Sequence, residues 1–192
     1  DAPESLLKDI VSTINDRFYG LEALALGSIC TKEEYKESIF GLPDIPGIAT
    51  SDESKIALVN YWIRCWQNSG YWLRGMPSTW WKPSEIVVKV GVKGHKTGKF
   101  KALKNVLTTK ETLKIFHDKW LPRLLEWFTE NPGGGGTFRI TGKNLSLSFD
   151  DTWVRCEICS SVHRPVSGVA RCLSCGNSRI VQFIPELDDV FK

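Results

Sequence analysis

Trp153-Val154-Arg155-Cys156-Glu157-Ile158-Cys159, answered after twelve intervening residues by Cys172-Leu173-Ser174-Cys175-Gly176, decides the reading of this chain. Two Cys-x2-Cys pairs at this separation suit a tetrahedral metal site built from two short β-knuckles, each tight turn supplying two thiolates. One Zn²⁺ ion is the expected occupant, because soft thiolates favour it. Four protein ligands leave no position for a reacting water, which makes the metal structural and not catalytic. An iron site of similar ligation and a redox dithiol pair are the alternatives.

The flanking residues read as a zinc ribbon. Trp153-Val154-Arg155 enters the first knuckle as a strand, Ser161-Val162-His163-Arg164 leaves it, and Pro165 with Ser167-Gly168 turns the chain. Gly176 follows Cys175 where the turn needs a positive φ. Arg179 to Ile184 reads as the closing strand. His163, four residues after Cys159, is expected at the surface or supporting a ligand, since four cysteines already complete the set.

A chain of 192 residues, 42% hydrophobic and 24% charged, is ordinary for a soluble globular protein of one or two domains. No apolar run approaches the roughly 18 residues that span a bilayer, and the acidic start Asp1-Ala2-Pro3-Glu4 is no signal peptide. Both ends read as cuts from a longer polypeptide. Cys30 and Cys65, in apolar helical contexts, read as buried free thiols, which with the metal array predicts a reducing, cytoplasmic setting.

The net charge of +3 hides an asymmetry. Residues 1–60 carry 5 Lys+Arg against 11 Asp+Glu, residues 61–120 carry 12 against 3, and residues 121–192 carry 8 of each. A basic middle between acidic and neutral flanks is a local field that selects partners.

Periodicity predicts the elements. Leu7, Ile10, Val11, Ile14 and Phe18 form one helical stripe, and Leu21 to Leu26 continues in helix-favouring residues. Thr31 with Glu34 predicts a capping box for a helix to about Phe40, and Ser51 starts another whose stripe is Ile56, Val59, Trp62, Ile63 and Trp66. Trp72, Trp80 and Trp81 sit in a turn-rich stretch that anchors loops to a core; stacking on bases is the alternative. Thr109 caps a long helix to about Glu130 with Leu113, Phe116, Trp120, Leu124 and Phe128 inward, which Pro122 kinks or divides. Gly133 to Gly136 is a hinge, a loop before a hairpin or an introduced linker. Phe138 to Phe149 reads as a hairpin turning at Thr141 to Asn144, running directly into the ribbon.

A second hairpin is the candidate contact surface. Ile86, Val88, Val90 and Val92 alternate, Gly94-His95-Lys96-Thr97-Gly98 turns, and Lys99 to Lys104 returns. Lys89, Lys93, Lys96, Lys99, Lys101 and Lys104, with His95, project from a stretch that holds no acidic residue. Lysines so placed lie along phosphates without reading bases. A solvated edge strand protected by lysine is the plainer alternative.

Enzymatic signatures are missing from the sequence: there is no Walker motif, GxSxG or HExxH. His117 falls beside Phe116 in a core or boundary position, and Asp150-Asp151 and Asp188-Asp189 lack a third acidic residue at a telling spacing. Leu21-Glu-Ala-Leu-Ala-Leu-Gly-Ser, then Trp153-Val-Arg-Cys-x2-Cys, a second Cys-x2-Cys and Asp188-Asp-Val-Phe resembles the C-terminal region of large bacterial superfamily 2 DNA helicases of repair and phage-defence systems. The resemblance covers mainly residues 150–192 and a weaker patch near 20–30. It implies that Cys156, Cys159, Cys172 and Cys175 are zinc ligands, and it carries no ATPase motif into this chain.

The sequence therefore predicts an α+β protein: a helical part (1–70), a mixed part with the basic hairpin and a long helix (71–149), and a zinc ribbon docked on a small antiparallel sheet (150–192). Its expected role is non-catalytic binding of nucleic acid, DNA first, within a larger polypeptide or beside partner subunits and away from membranes. The alternative is a protein-interaction scaffold in which zinc serves stability alone.

Overall fold

A computed structural model describes residues 20–67, 88–89, 103, 105–130, 137–140, 144–149, 152–166 and 168–184. The chain runs through β1 (Ser28–Thr31), a 3-10 turn (Glu33–Tyr35), α1 (Lys36–Phe40), α2 (Asp52–Gln67), β2 (Val88–Lys89) and α3 (Lys110–Ile115). A π-helical turn (Phe116–Trp120) leads into α4 (Leu121–Phe128), then β3 (Thr129–Glu130), β4 (Thr137–Ile140), β5 (Leu145–Ser148), β6 (Trp153–Cys156), β7 (Val162–His163) and β8 (Ile180–Phe183). Among the described residues the strands make three small antiparallel sheets, ordered β1-β5, β2-β4-β3 and β7-β6-β8. The mixture of helix with small antiparallel sheets agrees with the α+β expectation. No helix among the described residues is long and apolar enough to cross a membrane.

α2 forms where the sequence places it. Ser51 accepts from the Ser54 N–H (3.3 Å) while Ser54 Oγ accepts from the Ser51 N–H (2.9 Å), a reciprocal cap. Val59, Trp62 and Ile63 are buried, and Ile56 packs at the core's edge; the side chain of Trp66 lies outside the described residues. Phe128 meets Trp62 at 6.4 Å and Tyr35 at 5.1 Å between ring centroids, tying α2, α4 and the 3-10 turn into one apolar centre. Lys55, buried beneath α1, donates to the Phe40 carbonyl (3.0 Å) and pairs with Asp44 (2.9 Å), so its charge is not left alone.

The long helix is divided, as Pro122 required. Thr109 caps α3 and exchanges hydrogen bonds with Thr112. The Leu121 N–H then reaches back five residues to the Phe116 carbonyl. Proline has no N–H and its ring crowds the carbonyl four residues back; the wider π turn just before it relieves that clash. Phe116, Trp120, Leu124 and Phe128 face inward and Leu113 is half-buried.

Four expectations change. Residues 21–26 form turns and not a helix, with Ala25 at φ 53°, because Ala25 is spent covering Trp153, Val162 and Phe183 while Glu22 reaches Arg64. Helix propensity is weak enough for such contacts to override it. Thr31 and Glu34 make no capping box: Thr31 ends β1, its hydroxyl goes to the Lys32 carbonyl, and Lys32 takes the cap position with no side-chain bond. Cys30 accordingly lies on a strand, half-buried, while Cys65 is fully buried on α2. Finally, 138–149 is not a hairpin, because β4 pairs with β2 and β3, whereas β5 crosses to β1 in the register Ser28↔Ser148 to Thr31↔Leu145. Alternation specifies a strand but not its partner, and β1 sets the buried Ile29 opposite Leu147 and the buried Thr31 opposite the buried Leu145. The stripe of residues 7–18, the tryptophans 72–81 and the turn at 141–143 lie outside the described residues.

Candidate metal centre

The two Cys-x2-Cys segments adopt one backbone design twice. Cys156 donates its N–H to the Ser161 carbonyl (3.0 Å) and accepts from the Ser160 N–H at its own carbonyl (2.9 Å). Cys172 repeats this with Asn177 (2.7 Å) and Gly176 (2.9 Å). The residue after the second cysteine is left-handed in both, Ser160 at φ 56° and Gly176 at φ 77°. The sequence pointed to Gly176; Ser160 carries the same conformation with a side chain that disfavours it.

These turns bring the four sulfurs together. The Sγ atoms of Cys156, Cys159, Cys172 and Cys175 lie within 4.8 Å of one another, with Cys156–Cys175 at 3.7 Å and Cys159–Cys172 at 3.6 Å. Four thiolates bound at about 2.3 Å to a tetrahedral ion stand about 3.8 Å apart, so the spacing fits such an ion. Cys172 Sγ accepts the N–H groups of Ser174 (3.4 Å) and Cys175 (3.5 Å), donors that favour a thiolate. Burial pushes the Cys156 thiol up, but the N–H groups of Cys159 and Ile158 and the Cys175 side chain outweigh it, and it settles at about 7. Burial pushes Cys159 up to about 12, and Cys172 also upward. A bound cation would take the place of those protons, since thiolates are the metal ligands.

His163 belongs neither to the surface nor to the ligand set. It is 1% exposed on β7, its Nε2 accepts the Leu173 N–H (3.2 Å), and its Nδ1 lies 3.0 Å from the Arg164 carbonyl. An accepting Nε2 leaves the proton on Nδ1, which donates to that carbonyl: the ring is neutral and fixed. Burial drives its pKa down to about 4 despite the Arg164 bond, with the Arg64 charge adding to the depression.

The second knuckle is built into the main core. Leu173, between Cys172 and Cys175, is buried there with Val166, and its carbonyl accepts from Tyr61 Oη of α2 (2.9 Å) and Asn105 Nδ2 (3.3 Å). A Cβ at Gly176 would stand 2.8 Å from Asn105 Oδ1, and one at Gly168 2.8 Å from the Gly47 carbonyl, so both glycines permit close docking. Arg164 Nη1 reaches Ser148 Oγ (3.2 Å) and Ser28 Oγ (3.4 Å), joining the module to the β1–β5 pair.

Beside this seam opens a cleft of about 510 Å³. Its wall is the stripe Glu53, Ile56, Ala57, Asn60, Tyr61 and Arg64 on α2; β1 and β5 form its floor, and Arg164 to Val166 with Leu173 close one end. Asn60 Oδ1 accepts the Thr31 N–H (2.9 Å), and Arg64 Nε donates to both Glu22 oxygens (2.6 and 2.8 Å). Sequence reading missed the cleft and offered no local signal for it.

Of the expected nucleic-acid contacts, Lys89 sits on β2, paired with Thr137 of β4. Lys93, His95, Lys96, Lys99, Lys101 and Lys104 lie outside the described residues, as do Asp150-Asp151 and Asp188-Asp189. His117 is half-buried at the helix boundary, 3.2 Å from Asp118. Burial pushes the Cys65 thiol up to about 12, which leaves it protonated and inert near neutral pH. No family model, curated protein or solved structure matches this chain.

Proposed function

We propose that this chain is a nucleic-acid-binding module, for DNA first, whose C-terminal part is held by one structural zinc ion. The observation that carries the binding is the run Lys89, Lys93, Lys96, Lys99, Lys101 and Lys104, with His95, in a stretch free of acidic residues. The same sign extends into the cysteine segment, where Arg155, Arg164, Arg171 and Arg179 stand against Glu157 alone, Arg171 and Arg179 being exposed. Cys156, Cys159, Cys172 and Cys175 would hold the ion, and the fit of their sulfurs to a tetrahedron supports zinc over a dithiol pair. The ion supplies folding energy and no chemistry. In this reading the module grips phosphates on behalf of a larger motor or defence protein of the helicase kind it resembles.

The test is a fluorescence-anisotropy titration of labelled single- and double-stranded DNA across a salt series. Six engaged lysines predict a log–log slope of about −5 on duplex, and K93E/K96E/K99E/K101E should abolish binding. A specific observation favours the second reading, a protein-docking scaffold. Phe149 and Leu26 are 71% and 56% exposed, and a Cβ at the intervening Gly27 would stand 3.2 Å from the Phe149 ring. Weak binding that ignores the charge reversal would transfer the assignment to it.

A further inference from the structure

One backbone position belongs to the metal centre, the core and the cleft together. Leu173 lies inside the Cys172–Cys175 turn, gives its N–H to His163, takes the Tyr61 and Asn105 donors at its carbonyl, and lines the cleft with its side chain in the core. Tyr61 is itself 2% exposed and sits on the α2 stripe that walls the cleft. We propose that the four-cysteine site is a latch on this cleft: the bound ion fixes Leu173, and Leu173 holds the Tyr61–Arg64 end of α2 against the β1–β5 floor.

The physics is that of a buried donor. With an ion bound, the turn is clamped at both ends by Cys172 and Cys175, and its carbonyl has one place to be. Without it the two turns are joined only by weak thiol contacts (Cys156–Cys175 3.7 Å, Cys159–Cys172 3.6 Å) and the Ser161–Ser174 hydrogen bond, so Leu173 can shift relative to α2. The Tyr61 hydroxyl then gives up its bond to the Leu173 carbonyl inside the core, a loss relieved when that end of α2 opens to water. Arg164, held between Ser28 and Ser148, carries the same displacement to the opposite side of the cleft. Among the described residues α4 shares the apolar core with Leu173 but makes no hydrogen bond to either cysteine turn, and it should feel the ion least. The inference rests on the zinc reading of the site, and metal content tests that reading separately.

Hydrogen exchange read by mass spectrometry on the full chain tests the latch, comparing zinc-loaded with chelated protein. Peptides covering residues 53–67 and 28–31 should exchange about tenfold faster after chelation, with those from 121–128 nearly unchanged. Change confined to residues 152–184 overturns the latch while leaving the zinc reading intact; loss of protection everywhere, α4 included, overturns it too. Because linkage is reciprocal, Y61F, which removes only the hydroxyl, should keep one zinc per chain yet bind it about five- to tenfold more weakly in equilibrium competition with a chelator. An unchanged zinc affinity overturns the latch, and a wild-type protein without zinc removes the reading beneath it.

Discussion

The four-cysteine module and the helical core hold together by different means. Among the described residues the second knuckle's Leu173 and Val166 join the main core, and the rest of the module has a separate cluster of four, Ala25, Trp153, Val162 and Phe183, whereas the main core gathers Trp62, Trp120, Phe116, Phe128 and more than a dozen others. So few side chains cannot offset the ordering of some thirty residues, and under the zinc proposal the module depends on ligation and on the polar frame of its knuckles. The main core depends on packed volume. A single lost atom should therefore be decisive in one region and gradual in the other.

C172S makes the largest break. Removing one thiolate from a closed set forfeits most of the binding free energy, which for such sites is folding free energy of about 10 kcal/mol or more. The expected outcome is loss of zinc by metal analysis together with loss of the native Trp153 environment in near-ultraviolet circular dichroism. Zinc retained in full would place the ligand set elsewhere. W62A is the counterpart in the core. It should cost about 3–5 kcal/mol and lower Tm by about 10 °C, with one zinc still bound. If W62A also emptied the metal centre, the two regions would be one cooperative unit and the contrast would fail.

Legibility follows the same division. The cluster of four cysteines could be read from sequence because metal ligation demands one residue type at fixed intervals, and turn geometry does the rest. The α2 stripe and the Thr109 and Ser51 caps were readable because a helix is local. What stayed hidden was pairing at a distance. Alternation in Leu145-Ser146-Leu147-Ser148 announced a strand, but β1, more than a hundred residues earlier, was its partner. Residues 21–26 looked helical until the need to cover Trp153 outweighed propensity. The cleft draws on residues near 30, 60, 147 and 164–173, so no window of sequence contains it.

Acid should separate the regions next. The pKa of His163 falls from an ordinary 6.5 to about 4 in the folded protein, so the unfolded chain binds its proton more tightly. The stability this gives is fully present above about pH 6.5 and is lost as pH falls through 4, up to about 3 kcal/mol. H163F removes the titration along with the acceptor for the Leu173 N–H. Denaturant titrations of both proteins should show a stability gap that is widest at pH 7 and narrows toward pH 4. Protonation of the cysteine thiolates is common to the pair and cancels in the difference. A gap independent of pH would mean that His163 is not held neutral in the folded module.

The finest test compares the two knuckles with each other. They share one hydrogen-bond frame, yet Ser160 occupies with a Cβ the left-handed position that Gly176 occupies without one. For a residue with a side chain that conformation costs roughly 1 kcal/mol, so S160G should raise stability by about that much, less the backbone entropy glycine adds to the unfolded chain. G176A should move the other way, and further. It meets the same backbone penalty, and its methyl would stand 2.8 Å from Asn105 Oδ1, an atom of the side chain that also donates to the Leu173 carbonyl. Zinc affinity measured by competition with a chelator should follow the same order, S160G tightest and G176A weakest. Equal and small effects from both would show that the ion alone sets the turn geometry and that the repeated frame merely follows it.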